Sequence, residues 1–241
     1  KTSRNKPCIY NRGVDMHQAP YVHGLFRDVF TGVDTRQKKA IPIGELHMLL
    51  NKDPQSEKLR RTQAIANLLF QFCGMPFSDL AHLEKSNLER GLLKYNRTKT
   101  GTPMSIEVLE SAQNAIGGLY NKSDARSSGY PDYLFRILSG AYKRNEEGAY
   151  REYQSALRRF NNELKSLSRK LRLHSPVTSY TLRHSWATTA KYRGVPIEMI
   201  SESLGHKSIK TTQIYLKGFE LEERTKVNKS NYSYVCNFKM L

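Results

Sequence analysis

Apolar residues recur at three- and four-residue steps along most of this 241-residue chain, which predicts a mainly helical protein. The longest stripe runs from about 147 to 173 and has Arg, Lys and Glu between its apolar members. Those members are Leu157, Phe160, Leu164, Leu167 and Leu171. Core packing is the favoured interpretation of this stripe. Other predicted helices span about 43–51, 56–75, 111–118, 180–193, 196–204, 208–217 and 219–229.

The period changes between residues 91 and 109, where Met104, Ile106 and Val108 alternate with polar residues. Alternation is typical of a half-buried strand, and Thr100–Gly101 supplies a turn, so this segment predicts an antiparallel β-hairpin. Lys99 lies beside the turn. Arg97 is two residues away, and strand periodicity predicts that it points the same way. The expected fold is therefore mainly helical with a small antiparallel sheet.

Proline, glycine and capping residues predict the remaining helix boundaries. Residues 1–40 are basic and interrupted by proline and glycine, which predicts a short helix from Cys8 and an irregular connection. Gly74 and Pro76 are expected to stop the 56–75 helix. Ser78 and Asp79 are predicted caps of the short helix that follows.

Among the bulk properties of the chain, net charge is the most informative about a binding partner. The chain has 39 Lys and Arg residues against 22 Asp and Glu, a net charge of +17. Such an excess favours a polyanionic partner, because each neutralised phosphate releases counterions. Three cysteines without metal-ligand spacing indicate a reducing compartment, and no apolar run is long enough for a membrane span. The abrupt start, without Met or a secretion signal, is expected of a fragment of a longer protein.

Candidate chemistry is concentrated in residues 178–219, which hold Arg183, His206 and Tyr215 in a helical framework. A guanidinium can hold two phosphate oxygens, an imidazole can donate to a phosphate oxygen, and a phenol can attack phosphorus. In isolation each residue also has an ordinary structural interpretation. Ser208 is a predicted N-cap that lets the chain turn between His206 and Tyr215.

Five segments carry a resemblance that favours the chemical interpretation: FCGMPFSDLAHL, YNRTKTG, YREYQSALRRFNNELKSL, TSYTLRHSWATTAK and ISESLGHKSIKTTQIYLKGF. They resemble tyrosine recombinases, the phage-type integrase family, and in particular integrases of mobile and invertible elements of Bacteroides-type bacteria. The resemblance implies DNA cutting and rejoining through a 3′-phosphotyrosine, without metal, cofactor or ATP.

The resemblance also assigns roles to residues. Tyr215 would be the nucleophile, Arg183 and His206 would bind the phosphate, and Lys99 would be the acid for the leaving oxygen. The DNA-binding residues it implies are Arg97, Lys99, Arg183 and Lys207.

Two positions depart from the family pattern. Pro76 stands where the family has its first catalytic arginine, and Tyr180 stands where histidine is usual. A phenol can still donate to phosphate, whereas a lost arginine removes a charge-stabilising donor. Arg97 is a candidate compensating cation. Slow catalysis and a DNA-binding relic without cleavage are the other outcomes.

Organisation and partners follow from the same resemblance. Residues 1–40 would end a core-binding domain and its linker, 41–230 would form the catalytic domain, and 231–241 would be a tail that docks either on a neighbouring subunit or on its own subunit. The expected partner is double-stranded DNA, bound by a homotetramer in the bacterial cytoplasm at the nucleoid, with directionality factors. The alternatives are a type IB topoisomerase-like enzyme and an accessory DNA-binding protein.

Overall fold

Helices form most of the secondary structure in the computed structural model, which describes residues 40–120, 130–144, 146–216 and 221–237. The helices are α1 (Ile43–Asn51), α2 (Glu57–Gln71), α3 (Phe77–Ala81), α4 (Glu110–Leu119), α5 (Glu147–Lys170), α6 (Ser179–Tyr192), α7 (Ile197–Ser203), α8 (Ile209–Leu216) and α9 (Leu221–Cys236). The strands are β1 (Leu88–Glu89), β2 (Leu92–Asn96) and β3 (Pro103–Glu107). The predictions for residues 1–39, for most of the polar loop at 121–129 and for the last residues of the tail lie outside the described residues.

The sheet has three antiparallel strands in the order β1-β2-β3. Leu93 pairs with Ile106 and Asn96 with Pro103, so the predicted hairpin is confirmed. Its inner face buries Leu93, Tyr95 and Ile106, in the alternation that a half-buried strand requires. β1 was not predicted, because two residues are too few to show a period.

The main core lies where α2 packs against α4, α5 and α6. Phe160, Leu164, Leu167 and Leu171 of the α5 stripe are buried, and Leu157 packs against them, which confirms core packing. Phe160 stacks on Phe77 of α3 with ring centroids 4.7 Å apart. Burial of each such side chain contributes about 1.5–3 kcal/mol. This core holds α3 and α6 on either side of the turn that follows α2.

A second, smaller apolar cluster joins α6, α7 and α8. Its buried members are Ala187, Ile200, Leu204 and Leu216. Ser185 of α6 links this part to the start of the described chain, since its hydroxyl accepts from the amide of Ile41 at 2.9 Å. The cluster fixes α7 and α8 relative to α6.

Several predicted boundaries are wrong. α2 ends at Gln71, and Cys73 and Gly74 continue in left-handed conformations with φ of 54° and 65°. α4 runs through Gly117 and Gly118 to Leu119, because neighbouring packing outweighs the low helix propensity of glycine. α9 continues to Cys236, so the predicted tail from 231 begins as helix.

The predicted cap of α3 is also wrong. Pro76 occupies the N-cap position, and Ser78 and Asp79 lie inside the helix. Proline suits that place because its fixed φ starts a helix without an amide to satisfy. Asp79 is consequently directed into the protein, where it meets the hairpin.

No helix among the described residues is long and apolar enough to cross a membrane.

Candidate active site

Arg183 is positioned by the start of α6. Thr178 caps that helix in a reciprocal capping box with Thr181, and the Ser179 amide donates to Asn161 of α5 at 2.9 Å. These bonds fix the helix start, and Arg183 follows one turn later, only 6% exposed. Its guanidinium donates to the carbonyl of Gly74 at 2.9 Å and to that of Leu204 at 2.7 Å.

Gly74 makes this approach sterically feasible. A Cβ at this position would lie 3.2 Å from the Cα of Arg183 and 3.2 Å from the Cβ of Trp186. Its φ of 65° is also a conformation that glycine adopts without strain. The turn that lacks the family's usual arginine therefore still touches Arg183, through a backbone carbonyl.

His206 follows a second left-handed glycine at the end of α7. Gly205 has a φ of 63°, and the His206 amide donates to Ser201 at 3.0 Å, which closes the helix as a C-cap motif does. The imidazole lies between two helices. Its Nε2 is 3.2 Å from Nη2 of Arg183, and its Nδ1 is 2.8 Å from the hydroxyl of Thr212 on α8.

These two contacts define the protonation of His206. A guanidinium can only donate, so Nε2 is the acceptor and the proton of a neutral ring lies on Nδ1, which donates to Thr212. Burial, and after it the positive charges of Arg183, Arg97 and Lys99, together lower the pKa of His206 to about 4. At neutral pH the imidazole is uncharged in the DNA-free protein.

Arg97 joins Arg183 at the same carbonyl. It is 6% exposed, its Nη1 donates to the oxygen of Leu204, and its Nε forms an ion pair with Asp79 at 2.8 Å. The prediction that Arg97 and Lys99 point the same way is wrong. β2 ends at Asn96, so strand alternation does not extend to the turn, and Arg97 is buried whereas Lys99 is exposed.

Asp79 organises the hairpin and was missed as a site residue. Its carboxylate also accepts from the Thr98 amide at 3.1 Å, and its side chain is fully buried. The turn is closed by two backbone bonds, Arg97 to Thr102 at 2.9 Å and Gly101 to Arg97 at 2.8 Å. Lys99 is held in this turn, close enough for its charge to act on His206.

Tyr215 lies on α8, one turn after Thr212; the position of its side chain is outside the described structure. α8 is anchored to neighbouring elements both before and after Tyr215. Thr212 contacts His206, and Lys191 of α6 donates to the carbonyl of Leu216 at 3.3 Å. The predicted cap is confirmed, since the Ser208 hydroxyl accepts from the Lys210 amide at 3.3 Å.

The remaining predicted residues lie at the surface around these groups. Tyr180 is 41% exposed in the first turn of α6, and Lys207 is exposed directly after His206. The structure thus brings Arg183, His206 and Arg97 into one cluster with Lys99 nearby. Buried guanidinium donors beside a neutral imidazole can bind a phosphate and stabilise charge that develops on its oxygens.

The described ranges hold no group of three or more His, Cys, Asp or Glu side chains that could bind a metal ion.

Solved structures of similar fold are recombinases. The chain matches a crystal structure of XerA recombinase with a TM-score of 0.57 and 21% identity over 88% of this chain and 68% of that one. It matches the Tn1549 transposon integrase, solved with a circular intermediate DNA, with a TM-score of 0.57 and 16% identity over 81% and 67%. These likenesses confirm the predicted fold class.

Curated relatives agree with them. A probable integrase/recombinase protein of Methanocaldococcus jannaschii is 28% identical over 204 residues, covering 82% of this chain and 58% of the relative. Tyrosine recombinase XerD of Halalkalibacterium halodurans is 30% identical over 190 residues, covering 75% and 57%. The chain therefore spans a little under three fifths of the length of these relatives. The model of the phage integrase family matches residues 43–221, and this chain belongs to that family.

Proposed function

We propose that this chain is the catalytic part of a site-specific DNA recombinase that cuts and rejoins DNA through a 3′-phosphotyrosine. The observation that carries the proposal is the contact of Arg183 with His206 at 3.2 Å, next to the helix that bears Tyr215. Thr212 connects that helix to the same imidazole. A phosphate bound at this cluster would lie next to the helix that bears the proposed nucleophile.

The reaction is a balanced exchange at phosphorus. The Tyr215 oxygen attacks, its bond to phosphorus forms as the bond to the 5′ oxygen breaks, and the phenol proton is released to solvent. Arg183 holds two non-bridging oxygens and stabilises their negative charge. Lys99 gives a proton to the leaving oxygen. Rejoining reverses these steps, so neither ATP nor a cofactor is consumed.

Arg97 takes the place of the arginine that Pro76 replaces. Its support is geometric, because Arg97 and Arg183 both donate to the Leu204 carbonyl and both charges act on His206. The guanidinium thus comes from the hairpin rather than from the turn after α2. Tyr180 lies in the first turn of α6, where its phenol would donate to phosphate in place of the usual histidine.

Duplex DNA is the proposed substrate. The net charge of +17 favours a polyanion, and the Tn1549 integrase of similar fold was solved with DNA. Lys99 and Lys207 are exposed beside the cluster, where they would contact the DNA backbone. The proposed action is cytoplasmic, at the nucleoid, in integration, excision or inversion, with directionality factors as further partners.

The domain division follows from this function. Residues 1–40 would end a core-binding domain, 41–230 would form the catalytic domain, and 231–241 would dock on the next subunit of a tetramer assembled on DNA. α9 supports the docking, since Val227, Tyr232 and Val235 are 60–72% exposed. Apolar side chains on an exposed helix favour a protein partner.

The accessory DNA-binding protein is retained as a second candidate because of one observation. Arg97 has a carboxylate partner, Asp79, which offsets part of the positive charge that Arg97 would provide in place of the missing arginine. Formation of a covalent protein–DNA adduct distinguishes the two candidates. The family match does not favour the type IB topoisomerase-like alternative.

Covalent capture tests the proposal. The protein would be incubated with a library of nicked duplexes, and protein-linked DNA would be isolated under denaturing conditions and sequenced. We expect adducts with the parent protein and none with Tyr215→Phe, which removes only the attacking oxygen. Tyr192→Phe, at the end of α6, is the matched control and should form adducts as the parent does. DNA binding without adducts from the parent would support the accessory protein.

A further inference from the structure

Thr212 is a buried hydroxyl on an otherwise exposed stretch of α8. It is fully buried, whereas Ile209 is 40% exposed and Ile214 is 71% exposed. The buried positions Thr212 and Leu216 are four residues apart and therefore share one face of the helix. Leu216 packs in the apolar cluster, but Thr212 faces His206 at 2.8 Å.

Packing alone does not account for a threonine there. Valine has nearly the same shape and needs no hydrogen-bond partner, whereas a buried hydroxyl without one is costly. The imidazole is that partner. Because the Arg183 guanidinium faces Nε2 and can only donate, the Thr212 oxygen is the acceptor for the proton on Nδ1.

We propose that Thr212 is a positioning residue: it fixes the Nδ1–H form of His206 and thereby couples the imidazole to the helix of the nucleophile. The hydroxyl and Tyr215 share one short helix, so a shift of α8 that moves Tyr215 also breaks the bond to Nδ1. The imidazole then loses its fixed tautomer and orientation. His206 is directed at the phosphate only while α8 is seated.

The consequence is a site that assembles as a unit. Lys191 holds the far end of α8 through the Leu216 carbonyl, and Thr212 holds the near end. With its proton on Nδ1, the neutral ring presents an unprotonated Nε2 to the Arg183 side, and this nitrogen can donate to a bound phosphate only after it takes up a proton. The kinetic part of this inference rests on the proposed recombinase function, but the tautomer does not.

The ¹⁵N NMR spectrum of the His206 ring tests the tautomer without any activity. In the DNA-free parent we expect a protonated Nδ1 and an unprotonated Nε2. Thr212→Val should convert this to a mixture of tautomers, whereas Thr212→Ser should retain the parental form. Thr211→Val makes the same change at an exposed neighbouring position and should have no effect. A parent with the proton on Nε2 would overturn the proposal.

Kinetics test the coupling. Thr212→Val should lower the rate of adduct formation at saturating DNA about tenfold or more, and leave DNA affinity within about twofold, because Thr212 is buried. Thr212→Ser and Thr211→Val should stay within about threefold of the parent. If the valine variant did not fold, Thr212→Ala compared with Thr212→Ser would test the hydroxyl again. Equal rates with and without the hydroxyl would refute coupling, whereas a parent without adducts would refute the recombinase function and leave the NMR result standing.

Discussion

Arg183 and Arg97 are both 6% exposed and both donate to the carbonyl of Leu204, yet their surroundings differ. Arg183 contacts the carbonyls of Gly74 and Leu204 and the neutral imidazole of His206, whereas Arg97 contacts the buried carboxylate of Asp79 at 2.8 Å. A carboxylate offsets the field that a guanidinium presents to a phosphate, but a carbonyl does so much less. We therefore expect Asp79 to offset part of the charge of Arg97, so that Arg97 combines a structural role with an electrostatic one and Arg183 has the larger effect on a bound phosphate.

Arg183→Ala should have the largest effect on catalysis. It removes the proposed phosphate donor, and loss of such a transition-state contact typically costs on the order of 10²–10³ in rate. Single-turnover adduct formation on the captured DNA site would measure it. Arg193→Ala, at the end of the same helix, removes an exposed arginine and should change the rate less than about twofold. Equal effects of the two variants would assign Arg183 a general electrostatic role only.

Arg97→Ala should lower the rate by about 10–10² and also destabilise the fold, because it leaves Asp79 buried without its partner. Removal of one member of a buried ion pair costs about 3–5 kcal/mol. Urea unfolding measures that loss, and Lys94→Ala on the exposed face of β2 is the control for charge.

The double variant Asp79→Ala with Arg97→Ala separates the two roles of Arg97. Without either charge, much of the stability should return, while the rate should remain low. Recovery of both together would show that Arg97 acts only through folding, and the compensation for Pro76 would then have to come from elsewhere.

Much of this arrangement was accessible from the sequence, because local signals specify it. The α5 stripe and the hairpin alternation predicted the fold class, and the family motifs grouped Arg183 with His206. The Asp79–Arg97 pair was not accessible. It joins two elements 18 positions apart through burial, and Asp79 is also a good cap residue, so propensity favoured the wrong role. The left-handed turns at Gly74 and Gly205 bring backbone carbonyls to the arginines. They could not be predicted either, because they depend on tertiary packing.

Gly205→Ala tests the packing around Arg97 with a smaller expected effect. A Cβ there would lie 2.7 Å from Met104 Sδ and 3.0 Å from Arg97 Cγ. We expect about a tenfold slower cleavage and a loss of roughly 1–2 kcal/mol from the left-handed backbone. Gly91→Ala is the matched control, since its φ is 77° and nothing lies within 4 Å of the added atom. It should lose similar stability and no activity; slower cleavage in both variants would locate the effect outside the site.

The pKa of His206 offers the finest comparison of the two arginines. In the parent it should be about 4, lowered by burial and then by the charges of Arg183, Arg97 and Lys99. Arg183→Ala should raise it more than Arg97→Ala does, because Arg183 lies 3.2 Å away and Asp79 offsets the charge of Arg97. NMR titration of the ring in the DNA-free variants would measure both shifts. A larger rise in Arg97→Ala would reverse the ranking of the two guanidinium groups.

The same shift predicts how stability depends on pH. The folded state holds His206 neutral, whereas the unfolded imidazole binds a proton near pH 6.5, so the unfolded state gains protons first as the pH falls. The stabilisation that the neutral His206 adds to the free energy of unfolding is therefore fully present above about pH 6.5. It declines as the pH falls towards 4 and changes no further below pH 4. Because the ring is half-buried, screening reduces the loss to roughly 1–2 kcal/mol. Urea unfolding at several pH values, with His206→Gln as the variant that cannot titrate, isolates this contribution as the difference between two curves. Parallel curves would show that burial and the neighbouring positive charges do not hold the imidazole neutral in the folded state.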